Sequence, residues 1–288
     1  MDIFKKMKKE SRMKTKLFLL GALILLASCS PEENSPTIRF PVDWLGIPGY
    51  GINIDQQSFV EPSGICFHRL RKTLFIVSDE GEIAEIRTDG TPVFNLKIPG
   101  DLEGITVNHQ SGLLYIVKEG DDVILEFDPD KKEVRRIFLI NREFQGNSNF
   151  LQKQEGYDNG IESIAFVADK DHPEGGTFYL GNQWDPPCIV EILVPLESTH
   201  ADEAEARIIR VLPFKMDDPG GMYYDQKTRN LNVVSDADNI LVEITLEGKL
   251  VREYAFLGDN QEGLAKDDEG YLYIAQGEGG IIKVKDLR

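Results

Sequence analysis

From residue 60 onward, apolar side chains come in short runs that alternate with polar ones, and Gly, Asn or Asp separates one run from the next. The first stretch reads Gly64-Ile65-Cys66-Phe67, then Thr73-Leu74-Phe75-Ile76-Val77-Ser78, then Ile83-Ala84-Glu85-Ile86, then Val93-Phe94-Asn95-Leu96-Lys97-Ile98. These runs are rich in β-branched and aromatic residues, and turn chemistry such as Asp89-Gly90 divides them, which is how strands are written. The same succession returns through residues 113–117, 123–127 and 134–140, and again through 231–234, 241–244 and 251–256. No window of useful length carries helical spacing, so the chain is expected to be all-β.

The runs belong to a longer repeat. Five segments open alike: Ser63-Gly64-Ile65, Glu103-Gly104-Ile105, Glu162-Ser163-Ile164, Gly220-Gly221-Met222 and Glu262-Gly263-Leu264. Their starts are 40, 59, 58 and 42 residues apart, and the two long intervals hold insertions at residues 141–160 and 196–205. Without the insertions each unit has about 40 residues, the length of a four-stranded propeller blade. Four units read as four strands and the last as three, at residues 263–265, 271–275 and 281–284. The run at 37–42 supplies the missing strand, and its pairing with the last blade closes the ring without an open edge. The expectation is a single β-propeller over residues 37–288, with five blades, or six if the insertion at 141–160 conceals further strands.

Ahead of the repeat the pattern changes. Residues 1–16 carry seven basic side chains against Asp2 and Glu10, ten apolar or small residues follow from Leu17 to Leu26, and Leu26-Ala27-Ser28-Cys29 comes next. Such a run is too short for a hydrocarbon core of about 30 Å, but it suits the core of a signal peptide. Its ending has the form of a lipobox. Residues 1–28 are therefore expected to be a lipoprotein signal peptide, Cys29 the lipidated residue and 29–36 a tether. Acylation at Cys29 would anchor the protein to the cell envelope, with the outer membrane favoured over the inner.

Charge narrows the partners. The chain has 32 basic and 49 acidic side chains, a net of −17; residues 1–28 take seven and two of these, leaving 25 against 47, or −22. So acidic a surface repels nucleic acid and anionic headgroups and attracts cations. The remaining partners are the membrane through the lipid, and a small ligand or an envelope protein. Cys66 and Cys188 sit in separate apolar runs and read as buried free thiols.

The run Pro62-Ser63-Gly64-Ile65, then Thr73-Leu74-Phe75-Ile76-Val77-Ser78-Asp79-Glu80, then Asp101-Leu102-Glu103-Gly104-Ile105 resembles the SdiA-regulated (YjiK-like) propeller family. More distantly it is similar to the esterase-like phytase group. The similarity extends from residue 37 to the C-terminus and includes the Glu-Gly-Ile/Leu blade starts. It implies an envelope-associated β-propeller and leaves the chemistry open.

In a propeller the first strand of each blade lines the central channel and runs antiparallel to the second. The start of the first strand therefore shares a mouth with the end of the second. This rule places Ser63, Glu103, Glu162, Gly220 and Glu262 in one ring. Around them fall the second-strand ends Asp79, Glu80, Glu119, Asn182, Asp236 and Glu278, and the preceding loop residues Glu61, Asp101, Asp158, Asn159, Asp218 and Asn260. Three glutamates in a narrow channel cannot all stay ionised and unpaired: their pKa values rise, or a cation joins them. Calcium, which takes mixed oxygen ligands, suits Glu103, Glu162 and Glu262 with Asn182 or Asn260 as neutral partners. Zinc is disfavoured, since no His or Cys falls at this mouth.

A plainer role stands beside that one. Glu-Gly-Ile also suits a blade-start turn whose carboxylate caps backbone N–H groups, and the acidic strand ends Glu80, Glu119 and Asp236 would serve as a solvated rim. The sequence has no Gly-x-Ser-x-Gly elbow, His-Glu-x-x-His pair or phosphate-cradling loop. His68, His109, His172 and His200 fall away from the mouth as surface residues, Tyr223, Tyr224 and Trp184 read as core or rim aromatics, and Lys118 is the one base expected at the mouth. The functional expectation is a non-catalytic lipoprotein that binds a ligand or partner at an acidic, calcium-holding mouth. A calcium-dependent hydrolase of phosphoesters, lactones or esters, and a purely structural or assembly role, stay open.

Overall fold

The computed structural model describes residues 38–39, 51–152, 160–255 and 260–285; Cys29, the segment 1–28 and the tether 29–36 lie outside them. Every regular element among the described residues is a strand. Two short strands, β1 (Ile38–Arg39) and β2 (Gly51–Asn53), precede the repeat. The first unit is β3 (Pro62–His68), β4 (Thr73–Ser78), β5 (Glu82–Arg87) and β6 (Pro92–Lys97). The second is β7 (Leu102–Asn108), β8 (Leu113–Lys118), β9 (Val123–Asp128) and β10 (Glu133–Asn141). The third is β11 (Ile161–Ala168), β12 (Gly176–Asn182), β13 (Cys188–Leu193) and β14 (Glu203–Val211). The fourth is β15 (Gly221–Asp225), β16 (Asn230–Ser235), β17 (Ile240–Thr245) and β18 (Leu250–Ala255). The fifth has β19 (Gln261–Lys266), β20 (Tyr271–Gln276) and β21 (Ile281–Lys285).

Within each unit neighbouring strands pair antiparallel in chain order. Burial grades outward as the alternation implies: β3 and β4 are buried at every position, whereas the outer β6 alternates between exposed and half-buried. Five apolar cores lie between successive units, and one of them joins Ile65, Phe67 and Leu74 of the first unit to Ala265, Tyr273 and Ala275 of the fifth. The units therefore close into a ring, and among the described residues they number five. The outer strands β10 and β14 pair in parallel, Ile137 opposite Glu203 through Asn141 opposite Arg207, so that the second and third units share one sheet and protect each other's edges.

The small residue in each blade start holds the centre of the ring. A Cβ on Gly64 would lie 2.1 Å from the Glu103 carbonyl oxygen, and one on Gly263 would lie 2.9 Å from the Ser63 carbonyl oxygen. Gly104 meets the Ser163 backbone, Gly221 the Glu262 carbonyl, and Ser163 spans the remaining gap by donating its hydroxyl to the Pro219 carbonyl. Four of the five first strands thus touch the next through a glycine that has no room for a methyl group, and the third does so through the Ser163 hydroxyl.

A second repeat, unnoticed in the sequence, fastens each blade from within. The third strands carry Glu85, Glu126, Glu191 and Glu243 in the same register, opposite Phe75, Tyr115, Tyr179 and Asn232. Glu85 accepts from Arg71 through both oxygens at 2.8 Å, Glu126 from Arg136 at 2.9 and 2.5 Å and from the Tyr115 hydroxyl at 3.0 Å, and Glu191 from Arg210 at 2.8 Å. Glu243 accepts from Asn230 at 2.7 Å, and the fifth unit has Lys283 at this place, over the Tyr271 and Tyr273 rings.

The closing strand differs from expectation. β2 pairs with β21, Gly51 opposite Val284, and completes the fifth sheet; Ile38–Arg39, from the expected 37–42 run, instead pairs in parallel with β18. Continuity decides this. The loop after β2 buries Ile54 and Phe59 in the core between the fifth and first units, and Asp55 accepts from the backbone N–H groups of Gln57, Ser58 and Phe59 on the way to β3. The insertion at 141–160 adds only a Phe144–Asn147 bridge among its described residues, and Cys66 and Cys188 are buried free thiols.

Two substitutions test these contacts by chemical denaturation. Gly64→Ala should cost about 1–3 kcal/mol or more through overpacking against backbone, and a loss of only a few tenths would contradict the close approach. Arg136→Met should cost about 1–3 kcal/mol, because it removes two hydrogen bonds from the fully buried Glu126 and leaves it only the Tyr115 hydroxyl and Arg135 at 3.8 Å; a change no larger than that of an exposed lysine substitution would contradict the clamp.

Candidate metal centre

One backbone hydrogen bond recurs at the same mouth in four blades. Asp79 N donates to Glu61 O at 3.3 Å, Glu119 N to Asp101 O at 2.9 Å, Gln183 N to Gly160 O at 2.8 Å, and Gly277 N to Asn260 O at 2.9 Å. Each bond ties the residue after a second strand to the residue before a first strand. The carboxylates placed there by sequence do share one end of the channel. In four first strands the register also shifts at the ring residue itself, between Pro62 and Gly64, Leu102 and Ile105, Ile161 and Ser163, and Gln261 and Gly263. A bulge of this kind re-aims a side chain, here that of Ser63, Glu103, Glu162 or Glu262.

The tightest group joins the first two blades. Asp79, Asp101 and Glu103 each offer an oxygen within 4.8 Å of the others. Ser63 donates its hydroxyl to Asp79. Glu103 is 8% exposed and Glu119 6% exposed. Glu162 shares hydrogen bonds with Glu103 and Glu119, contacts that require a proton between carboxyl oxygens. Glu262 Oε2 is buried without a hydrogen-bond partner among the described residues.

The electrostatics follow from this crowding. Burial first, then the charges of Glu162, Asp79, Asp101 and Glu119, hold the Glu103 pKa well above the carboxylate range. Burial also raises Glu162, against the lowering effect of its hydrogen bond with Glu119. Glu262 is pushed up to about 8 by burial and by Asp79, Glu162, Asp236 and Asp218, and Asp79 to about 6 by burial, with Asp101 and Glu61 adding to it against the Ser63 hydrogen bond.

Several expectations change. Of the expected ligands Glu103, Glu162 and Glu262, Glu103 belongs to a group of oxygens within 4.8 Å of one another, with Asp79 and Asp101 as its partners among the described residues, and the β7 register shift falls at Glu103. Glu119 is buried among carboxyls and is not a solvated rim residue, whereas Glu80 and Glu278 are exposed. Asp236 caps the fifth blade by accepting from Gln261 N at 3.1 Å, and Asp218 accepts from Gln183 Nε2 at 3.1 Å. The Asn182 amide fastens the following turn by donating to the Trp184 and Pro186 carbonyls. Asp158 and Asn159 lie outside the described residues.

Lys118 has company. It pairs with Asp121 at 2.6 Å, and Arg142, which sits in the insertion where no repeat marks it, donates to Asp122 at 2.9 Å and to the Leu151 carbonyl at 2.6 Å. Both cations are already held by carboxylates. His68 is buried at the far end of β3 with Nε2 3.1 Å from the Gly112 carbonyl, and His109 lines a cavity at the opposite mouth; neither is the surface residue expected.

The model of the SdiA-regulated family matches residues 44–278. The chain belongs to the SdiA-regulated family. The match takes in the whole carboxylate mouth of this family member. Among solved structures it is similar to Myxococcus xanthus glutaminyl cyclase, at 10% identity and a TM-score of 0.53, over 87% of this chain and 100% of that one; the likeness is one of fold. A protein of unknown function from Bacteroides caccae aligns at 13% identity and a TM-score of 0.46, over 75% of this chain and 71% of that one. Kuenenia stuttgartiensis hydrazine synthase does so at 15% and 0.43, over 77% and 56%. No curated protein matches the chain.

The raised carboxyls of this SdiA-regulated protein set a pH dependence. Folded Glu262 keeps a proton that the unfolded chain releases above its ordinary value of 4.5, so stability falls as pH rises from 4.5 towards about 8. In metal-free buffer the melting temperature should therefore decline across that window, and Glu262→Gln should flatten the decline. An identical slope in the variant would contradict the burial of this charge.

Proposed function

We propose that this protein is an envelope-anchored propeller that binds a hard divalent cation, calcium, at its acidic mouth and recruits a ligand or partner protein there. The observation that carries the proposal is the approach of three carboxylate oxygens, from Asp79, Asp101 and Glu103, to within 4.8 Å of one another. Oxygens around one calcium ion lie up to about twice the bond length of ~2.4 Å apart, so these residues fit such an ion. Glu162 and Glu262, whose carboxyls burial holds above the ordinary range, and the buried Glu119 stand next to them. The donor set is all oxygen, which suits calcium over zinc. Anchoring is supported by the basic, apolar and Leu-Ala-Ser-Cys succession ending at Cys29.

A metal-dependent hydrolase has one feature in its favour: a carboxyl raised as far as Glu262 is protonated at neutral pH and can donate that proton. Phosphoester substrates fit poorly, because Lys118 and Arg142 are held by Asp121 and Asp122. Lactones and esters carry no such requirement.

Calcium at 100 times its dissociation constant should stabilise the metal-free protein by about 2.7 kcal/mol, read as a rise in melting temperature that Glu103→Gln abolishes. No rise in millimolar calcium, or a full rise in the variant, would remove the cation from the proposal. Turnover of lactone or aryl-ester substrates that depends on calcium and on Glu262 would replace the binding role by the catalytic one.

A further inference from the structure

At the axis, where the blade starts meet, the space among residues such as Gly64, Gly104, Ser163 and Gly263 falls to about 10 Å³. At the other end of the first strands, on the face opposite the carboxylates, it is wider. There the far halves of all five first strands line a cavity of about 310 Å³, the low end of the range for small-molecule sites.

Two properties of the lining narrow the occupant. Much of the wall is apolar or aromatic, with Ile65, Phe67, Val107, Phe166, Met222 and Tyr224. Its charges are already balanced by neighbours. Arg69 pairs with Asp268 at 3.1 Å and donates to the Gln226 side-chain oxygen, and Lys266 pairs with Asp225 at 3.2 Å. Lys72 shares Asp268 from outside the lining, with a side chain 66% exposed to solvent. His109 is an uncharged imidazole at neutral pH, since burial first, then Arg69, lowers its pKa to about 4. The lining therefore offers the hydrogen-bonding groups of His109, Gln110 and Gln226 beside cations that carboxylates already hold.

A charged ligand would leave water without gaining an ion-pair partner, or would have to break one of these pairs, and either costs affinity. An uncharged ligand meets neither cost and still gains the apolar wall. We propose that this cavity is a second binding site, for a small uncharged molecule made of a flat ring with one polar group. The ring would lie against Phe166 and Tyr224, and the polar group would exchange hydrogen bonds with His109 or Gln226. The site is at the other end of the first strands from Glu103, so it stands or falls independently of any cation there.

Ligand-observed NMR on the metal-free protein tests this with benzamide, benzoate and benzamidinium, which share one shape and are uncharged, negative and positive, and with acetamide, which lacks the ring. Benzamide should bind about tenfold or more tightly than either charged probe and than acetamide. Ala168→Trp, at an exposed position of the lining, should fill the cavity and weaken benzamide by about tenfold or more, whereas Lys131→Trp, outside the lining, should leave it unchanged. Asp268→Asn removes the counter-charge of Arg69 and should strengthen benzoate about tenfold relative to benzamide. Should a variant fail to fold, the probe series on the unaltered protein decides alone. Absence of benzamide binding, equal binding of a charged probe or of acetamide, indifference to folded Ala168→Trp, or an unchanged benzoate-to-benzamide ratio in folded Asp268→Asn would each overturn the proposal.

Discussion

Five strands start so close to one axis that the residue at the point of contact has no side chain, or only a hydroxymethyl. Gly64, Gly104, Gly221 and Gly263 press on the backbone of the next blade, and Ser163 reaches it by hydrogen bond, so the ring closes through main-chain contact. This constraint orders the rest of the centre. The residue before each contact is thrown into a bulge in four blades, and in three of them it is a glutamate, buried at Glu103 and half-buried at Glu162 and Glu262. The same contact narrows the axis, where the space among the blade starts falls to about 10 Å³.

Glutamate meets two fates in this fold, and the difference is its neighbour. Glu85 and Glu126, on third strands, are buried to 1% and 0% exposure, yet each faces an arginine in two-pronged contact. Burial alone would raise Glu85, but the hydrogen bonds from Arg71 and Thr73 carry its pKa below the ordinary range. Glu103, Glu162 and Glu262 are as crowded but face other carboxyls, and their pKa values rise. An arginine clamp is a structural solution that needs nothing from outside. A carboxyl cluster keeps protons or takes up a cation, and the proposed function rests on that dependence on solution conditions.

Much of this was legible because the repeat carries its own register. Ser63-Gly64-Ile65 and its four counterparts marked the all-β repeat and the first strand of each unit, since strand alternation leaves little freedom once the first strand is known. What escaped had no repeat to reveal it. Gly51–Asn53 closes the fifth blade with three residues, too few for a period, while the longer 37–42 run looked the better strand. Arg142 lies in an insertion. Asp79 and Asp101 were placed at the mouth, but their approach to Glu103 depends on a bulge, which sequence spacing does not report. The clamp of Glu85, Glu126, Glu191 and Glu243 was visible in principle, as one acidic residue between apolar neighbours in four third strands. It passed for ordinary alternation because its arginines come from different elements, Arg71 from a turn and Arg136 and Arg210 from fourth strands.

The claim on which the functional account rests is that carboxyls crowded by the glycine contact hold protons until a cation replaces them. Carbon-13 NMR of the glutamate side-chain carboxyls, titrated with pH in the absence and presence of calcium, tests it directly. Resonances of Glu103 and Glu262 that titrate well above the ordinary carboxylate range without calcium, and fall back into or below it with calcium, are the result predicted. Titration of all glutamates near 4.5 whether or not calcium is present would contradict it.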